Sequence, residues 1–137
     1  MSLRRLFSRP AAWWAVAIII GALLLFAAVN NKVYEATSPT SFDYHVILRK
    51  IYSIVAFAMV GYPVARARAL AGRSASPLVI GGVVAAYSAI IEVLQFVLDP
   101  PYEGFVSNVL DVAYGLAGGA CAAWLASRVK WPTSSRS

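Results

Sequence analysis

Residues 77–98 read PLVIGGVVAAYSAIIEVLQFVL and carry a single formal charge, the carboxylate of Glu92. The run is long enough to cross the hydrocarbon core of a bilayer as a helix. A carboxylate inside that core costs roughly 2.5 to 3.5 kcal/mol on insertion scales, so such a residue marks a functional or packing site with a partner. The stretch therefore predicts a membrane-spanning helix that contains one polar site.

Three further apolar runs cover residues 11–29, 51–65 and about 110–129. The second can extend back to Val46 if Arg49 and Lys50 lie near the interface. The chain of 137 residues is 60% hydrophobic and has a mean hydropathy of +0.68, whereas soluble domains are about 45 to 50% apolar. The four runs predict an all-α membrane protein with four antiparallel transmembrane helices.

Prolines and charges set the predicted ends of these elements. Pro63 is expected to kink or stop the second helix, and Pro100 follows the expected end of the third. The predicted layout is a basic tail at residues 1–10, a transmembrane domain at 11–129 and a disordered tail at 130–137. A cleaved signal peptide is the alternative to a retained first helix, because a basic segment precedes the first apolar run.

Charge sorts by segment in a way that predicts the orientation in the membrane. Nine of the twelve Lys and Arg residues, and none of the six acids, fall in the N-terminal tail, a loop at 66–73 and the C-terminal segment from residue 128 onward. Cytoplasmic loops carry an excess of Lys and Arg, so both termini are expected on the cytoplasmic side of the membrane. The net charge of +6 thus reflects the orientation in the membrane and gives no support to nucleic-acid binding. The basic side is also expected to attract anionic lipids of the bilayer.

Polar residues in the third helix are spaced to share one face. Glu92, Gln95 and Asp99 fall at i, i+3 and i+7, which line one side of a helix toward its external end. Asp111 is expected to begin the fourth helix on the same side of the membrane. An acid three residues after Asn108 is also typical of a helix cap, so the capping interpretation of Asp111 stays open.

Two cations lie on the external side against the general charge distribution. Arg49 and Lys50 precede the second apolar run. One of them is expected to be the counter-ion of Glu92 or Asp111, and the alternative is that both extend to lipid headgroups. The polar cluster predicted by the sequence therefore consists of Glu92, Gln95, Asp111, Lys50 and Arg49.

Small residues recur at every fourth position in the last two helices. The predicted packing positions are Gly81, Ala85, Gly115, Gly118 and Gly119. Such residues let helix backbones approach closely in lipid, so the third and fourth helices are expected to touch along them. The alternative is that they only reflect the richness of membrane helices in small residues.

The segment 88–119 resembles the C-terminal signature of VanZ-like membrane proteins. It contains Glu92 and Gln95 as E-x-x-Q, then a proline-bearing loop, then Asp111 and Gly118 at the spacing of the family pattern D-x-x-x-N-x-x-G. Lys50 matches more weakly a second-helix pattern, in which a lysine is followed by a histidine and an aromatic residue. These quoted residues are the candidate functional residues that the resemblance implies.

The resemblance covers about half of the chain and implies a four-helix protein of the cell envelope. VanZ-like proteins are linked to tolerance of glycopeptide antibiotics, notably teicoplanin, and the resemblance implies no enzymatic mechanism. The chain departs from the family pattern at Gly115, where the family has asparagine, and at Ser53, where it has histidine.

Other kinds of site are not predicted. His45 and Asp43, in an external segment, lack further metal ligands. No histidine is placed to activate Ser88 or Ser107, and the single cysteine, Cys121, cannot form an intramolecular disulfide. The sequence therefore predicts no metal and no cofactor.

Three function classes fit these residues. The first is binding of a polar or anionic envelope or lipid group, such as an envelope lipid or glycan intermediate, by the polar cluster. The second is a structural accessory subunit of a homo-oligomer or larger membrane complex, in which the polar residues only hold helices together. The third is an enzyme with Glu92 or Asp111 as general base, but the sequence offers no nucleophile for it, so a non-enzymatic role is preferred.

Overall fold

Four helices make up most of the residues that the computed structural model describes, which are residues 7–30, 45–98 and 105–129. They are α1 (Pro10–Val29), α2 (His45–Leu70), α3 (Pro77–Leu98) and α4 (Phe105–Arg128). The prediction of an all-helical chain is confirmed for these residues. Within the described ranges, α1, α3 and α4 are long and apolar enough to cross a membrane.

The sequence predicts the ends of α1 and α3 well. Pro10 occupies the first turn of α1, where its missing N–H is not needed. Ser76 precedes Pro77 at the start of α3, and its Oγ accepts a long hydrogen bond of 3.4 Å from the amide of Val79. α3 ends at Leu98, directly before Asp99 and Pro100, as predicted.

Of the two effects expected of Pro63, a stop of the second helix is wrong, and a kink stays a prediction. α2 runs through Pro63 to Leu70, so Arg66 and Arg68 belong to the helix and not to the predicted loop. A proline removes one backbone donor, and helices packed against neighbours tolerate that loss.

The stop signal of α2 lies at Gly72, whose φ of 67° is in the left-handed region. The amide of Arg73 donates to the carbonyl of Arg68 at 2.9 Å and that of Gly72 to Ala69 at 3.1 Å, the bonds of a Schellman cap. At its other end α2 begins at His45, one residue before the extended start at Val46. His45 therefore belongs to the helix and not to the predicted external segment.

The predicted start of the fourth helix is also wrong. α4 begins at Phe105, so Asn108 and Asp111 lie inside the helix and its first turn contains no acid. Neither Gly nor Pro interrupts residues 105–111, and Asn108 acts as an ordinary helical residue. The capping interpretation of Asp111 is therefore excluded.

The core forms where α2, α3 and α4 meet. Ile80 and Val84 of α3 are fully buried. A Cβ built on Gly61 of α2 would lie 3.0 Å from the Cα of Gly119 on α4 and 3.4 Å from the side chain of Val84. Small residues thus allow three backbones to converge on one point, as expected for helices that associate in lipid.

Contacts between pairs of helices give their relative directions. On α3, Ile80 lies beside Gly119 of α4, and Ser88, two turns later, lies beside Gly115. Residue numbers rise along α3 while they fall along α4, so these two helices run in opposite directions. α2 and α4 run in the same direction, because Ile54 faces residue 118 and residue 61 faces residue 122.

Several sequence predictions lie outside the described residues. They concern the tail at 1–6, the disordered tail at 130–137, and Asp43 and Asp99, which are expected on the external side.

Candidate functional site

A buried hydroxyl group joins α3 to α4. Ser88 is 0% exposed, and its Oγ donates a hydrogen bond to the backbone carbonyl of Asp111 at 3.0 Å. Gly115, one turn after Asp111, permits this approach, because a Cβ built there would lie 3.0 Å from the Cβ of Ser88. Asp111 is therefore set beside the turn of α3 that precedes Glu92.

Glu92 lies one turn beyond Ser88, and its side chain is half-buried, as is that of Asp111. Both residues take part in a hydrogen bond or electrostatic interaction. Because α3 and α4 run in opposite directions, the step from Ser88 to Glu92 leads toward the start of α4. Ser107 and Asn108 lie there, half-buried and also engaged in interactions.

Gln95 is held by the first helix. Its Nε2 donates a hydrogen bond to the carbonyl of Ala28 at 2.9 Å. Two turns earlier, the hydroxyl of Tyr87 donates to the carbonyl of Gly21 at 2.6 Å. The side chains of Gln95 and Tyr87 thus reach α1, whereas that of Ser88 reaches α4, so Gln95 is directed away from Asp111.

Lys50 belongs to α2, and its side chain is exposed. One turn further along, α2 meets α4 closely, since a Cβ built on Gly118 would lie 2.6 Å from the carbonyl oxygen of Ile54. Lys50 is therefore near the end of the bundle that holds Asp111. The side chain of Arg49 lies outside what the structure describes, and an ion pair of either cation with Glu92 or Asp111 stays a prediction.

The small residues occupy two different interfaces. A Cβ built on Gly81 would lie 2.9 Å from the carbonyl oxygen of Leu116, so Gly81 faces α4. A Cβ built on Gly115 would lie 3.3 Å from the Cα of Ala85, so Gly115 faces α3. Gly118 instead contacts α2, because a Cβ built on it would lie 2.9 Å from the Cβ of Phe57.

Sequence reasoning missed the contacts that two polar residues, Ser88 and Tyr87, make with neighbouring helices. The sequence offers Ser88 only as an unsupported nucleophile and gives Tyr87 no role. Ser53 stands at the departure from the family pattern, and it is half-buried and engaged in an interaction. The available signal was polarity itself, because hydroxyl groups in apolar helices tend to hydrogen-bond across helix pairs.

Burial differs between the two ends of the bundle. Among side chains that the structure describes, the buried ones on α2 lie from Val60 onward and those on α4 from Gly115 onward. On α3 they lie between Ile80 and Ile91. The half of the bundle that holds Glu92 is therefore the less tightly packed one.

The other end of the bundle is basic, and its described residues include no acid. We call this the basic end, and its described cations are Arg9, Arg66, Arg68, Arg73 and Arg128. Two of these lie over indole rings at cation–π distance. The guanidinium carbon of Arg66 lies 6.0 Å from the ring centroid of Trp13, and that of Arg128 lies 5.1 Å from that of Trp124.

An apolar groove of about 270 Å³ lies along α3. Its lining residues are Ala89, Ile90, Val93 and Leu94. Because all four side chains are apolar, the groove offers no hydrogen-bonding group and is not part of the candidate site.

These features define a class of protein: a small helical bundle with helices apolar enough to cross a membrane, and with polar side chains between the helices toward one end. No family model, curated protein or solved structure matches the chain. The resemblance of residues 88–119 to VanZ-like proteins therefore stays a prediction from the motif.

Proposed function

We propose that the chain is a four-span protein of a bacterial inner membrane, with antiparallel helices and both termini in the cytoplasm. Three helices satisfy the length and hydropathy of a span. α2 is less apolar but has 26 residues, about 39 Å at the helical rise of 1.5 Å per residue, which exceeds the bilayer core. The basic end would face the cytoplasm, because cytoplasmic segments are enriched in Lys and Arg.

We propose further that Glu92, Asp111 and Lys50 of the polar cluster bind a polar or anionic group of the cell envelope or of its lipid. The observation that carries this proposal is the hydrogen bond from Ser88 to Asp111, which sets Asp111 beside the turn before Glu92. The two half-buried carboxylate residues thus lie near each other in the less tightly packed half of the bundle. Intramembrane acids in such positions commonly mark ligand or ion sites.

Lys50 supplies the anion-binding element of this proposal. It lies near the same end of the bundle, and its exposed ammonium group can contact a negatively charged headgroup or sugar phosphate. Glu92 and Asp111 would accept hydrogen bonds from hydroxyl or amino groups of the same ligand. The resemblance to VanZ-like proteins supports a role in glycopeptide tolerance, notably of teicoplanin.

A second candidate is a structural accessory subunit of a larger membrane complex. It is favoured by the hydrogen bonds of Tyr87, Ser88 and Gln95, which all donate to backbone carbonyls of neighbouring helices. Side chains used in this way hold helices together and are not available to a ligand. On this view Glu92 also acts as a helix contact.

A sensitivity assay separates the two candidates. In a strain whose own copy is deleted, we expect Glu92→Gln and Glu92→Ala to raise teicoplanin sensitivity while the protein level stays normal. Tyr87→Phe is the matched control, since it removes a contact of α3 with α1 and keeps both carboxylates and the hydrogen bond from Ser88 to Asp111. An unchanged phenotype of the Glu92 variants at normal protein level would count against ligand binding.

The accessory role predicts a different set of results. Both Glu92 variants would then lower abundance or thermal stability, and the protein would co-purify with larger partners in mild detergent. A monomeric protein of unchanged stability would exclude that role.

A further inference from the structure

We propose that the basic end binds the phosphate of an anionic phospholipid headgroup, with Arg66 as the main contact. This site is at the opposite end of the bundle from the polar cluster. It requires that the protein lie in a membrane, and it does not depend on what the polar cluster binds.

Arg66 is held in a defined place at the junction of α1 and α2. It is half-buried, and its guanidinium carbon lies 6.0 Å from the ring centroid of Trp13. Arg9 and Arg73, in contrast, are exposed at the same end. Arg66 is thus a fixed cation, whereas those two contribute diffuse charge.

Trp13 is fixed in turn by contacts on several sides. Its side chain is only 7% exposed, and its Nε1 donates to the carbonyl of Phe7 at 2.9 Å. The rings of Phe7 and Tyr62 lie 5.3 and 6.0 Å from it. A guanidinium held against such a ring loses little rotational freedom when it binds. The guanidinium is planar, and N–H groups in its plane match two oxygens of a phosphate.

The length of α2 places Arg66 at the depth of lipid headgroups or slightly below. The uncharged stretch between Lys50 and Arg66 is 51–65, which spans about 22 Å at 1.5 Å per residue. The hydrocarbon core of a bilayer is about 30 Å thick. A cation that reaches the edge of this core is stabilised by a phosphate at the interface, where the belt of tryptophans also lies.

The surroundings favour an anionic lipid over a zwitterionic one. Arg68 and Arg128 lie at the same end, and Arg68 is fixed by a hydrogen bond of 2.7 Å from its Nε to the carbonyl of Ser74. No described residue of this end is acidic, so within that part of the chain the local field is positive. A net negative headgroup gains from this field, whereas the choline of a zwitterionic headgroup is repelled.

Native mass spectrometry of the full chain in mild detergent tests the proposal. Phosphatidylglycerol and phosphatidylcholine are added in turn, and retained lipid is counted for the wild type, Arg66→Gln and Arg73→Gln. Arg73→Gln is the matched control, because it makes the same charge change at an exposed loop position. We expect preferential retention of phosphatidylglycerol, a loss of about fivefold in Arg66→Gln and less than about twofold in Arg73→Gln.

Equal retention of the two lipids by the wild type would overturn the proposal, as would equal losses in both glutamine variants. If Arg66→Gln does not fold, Arg66→Lys tests the site instead, since lysine keeps the positive charge but lacks the planar guanidinium group. Weaker retention by Arg66→Lys supports the site, and full retention contradicts it. Excess inorganic phosphate should leave the lipid bound; displacement would show a site for free phosphate and contradict the lipid assignment.

Discussion

Gly118 and Gly82 show how much the position of a single glycine matters in this bundle. A Cβ built on Gly118 would lie 2.6 Å from the carbonyl oxygen of Ile54 and 3.1 Å from the amide of Ala58. These are backbone atoms of α2, so the two helices must separate to admit it. A Cβ on Gly82 would meet nothing within 4 Å.

We therefore expect Gly118→Ala to lower the free energy of unfolding by about 1 to 3 kcal/mol through overpacking. Gly82→Ala should leave it unchanged or raise it by up to about 1 kcal/mol, since alanine is the better helix former. Unfolding in detergent, followed by circular dichroism, measures both variants. Equal stability of the two would show that α2 and α4 do not touch at residue 118.

A substitution at Gly72 tests backbone strain without any change in packing. Its φ of 67° is disfavoured for other residues, and a Cβ built there meets nothing within 4 Å. Gly72→Ala should destabilise the protein by about 1 kcal/mol, the strain of a left-handed alanine. The same unfolding experiment checks it, with Gly82→Ala as control for the substitution itself. No difference between the two alanine variants would contradict the Schellman cap of α2.

At the scale of elements, two hydrogen bonds attach α1 to α3. The donors are Tyr87 and Gln95, and the acceptors are backbone carbonyls of α1, at 2.6 and 2.9 Å. Many side chains of α1 are exposed, so these bonds are a substantial part of its attachment to α3. In membranes a hydrogen bond between helices contributes about 0.6 kcal/mol on average.

The double variant Tyr87→Phe, Gln95→Leu should lower the free energy of unfolding by about 1 kcal/mol, because it removes both bonds with little change in volume. Tyr52→Phe provides the control, as Tyr52 is 53% exposed on α2. The midpoint temperature of unfolding in detergent measures the difference. A double variant as stable as Tyr52→Phe would mean that packing alone holds α1.

At the scale of the whole molecule, the segregation of charge predicts which end faces the cytoplasm. Ser74 lies in the short connection between α2 and α3 at the basic end, and Val106, which is 73% exposed, lies at the start of α4 at the other end. Cysteines at these two positions, introduced into a Cys121→Ser background, report the two sides separately.

In intact cells, a membrane-impermeant maleimide should label Val106→Cys and spare Ser74→Cys, because the basic end is expected in the cytoplasm. Labelling of Ser74→Cys should appear once the membrane is permeabilised, which controls for reactivity. The reverse pattern would place the polar cluster in the cytoplasm and exclude a ligand on the external side.

The amino-acid sequence determined the class of fold and the ends of α1 and α3. Long uncharged runs predict helices in lipid whatever their neighbours are, and Pro10, Pro77 and Pro100 mark the ends by local geometry. The sequence also singled out Glu92 and Asp111, since charges in apolar surroundings are conspicuous. The end of α2 is also marked by a local signal, Gly72, whereas Pro63 is a misleading one.

Only the tertiary structure decided how far α2 continues past Pro63 and which neighbour each polar side chain meets. Gln95 and Ser88 lie seven residues apart on the same helix, yet one binds Ala28 of α1 and the other Asp111 of α4. Their partners are 67 and 23 residues away in the chain, respectively. Helical spacing gives the direction of a side chain around its own axis, whereas the neighbour found there depends on how all the helices pack.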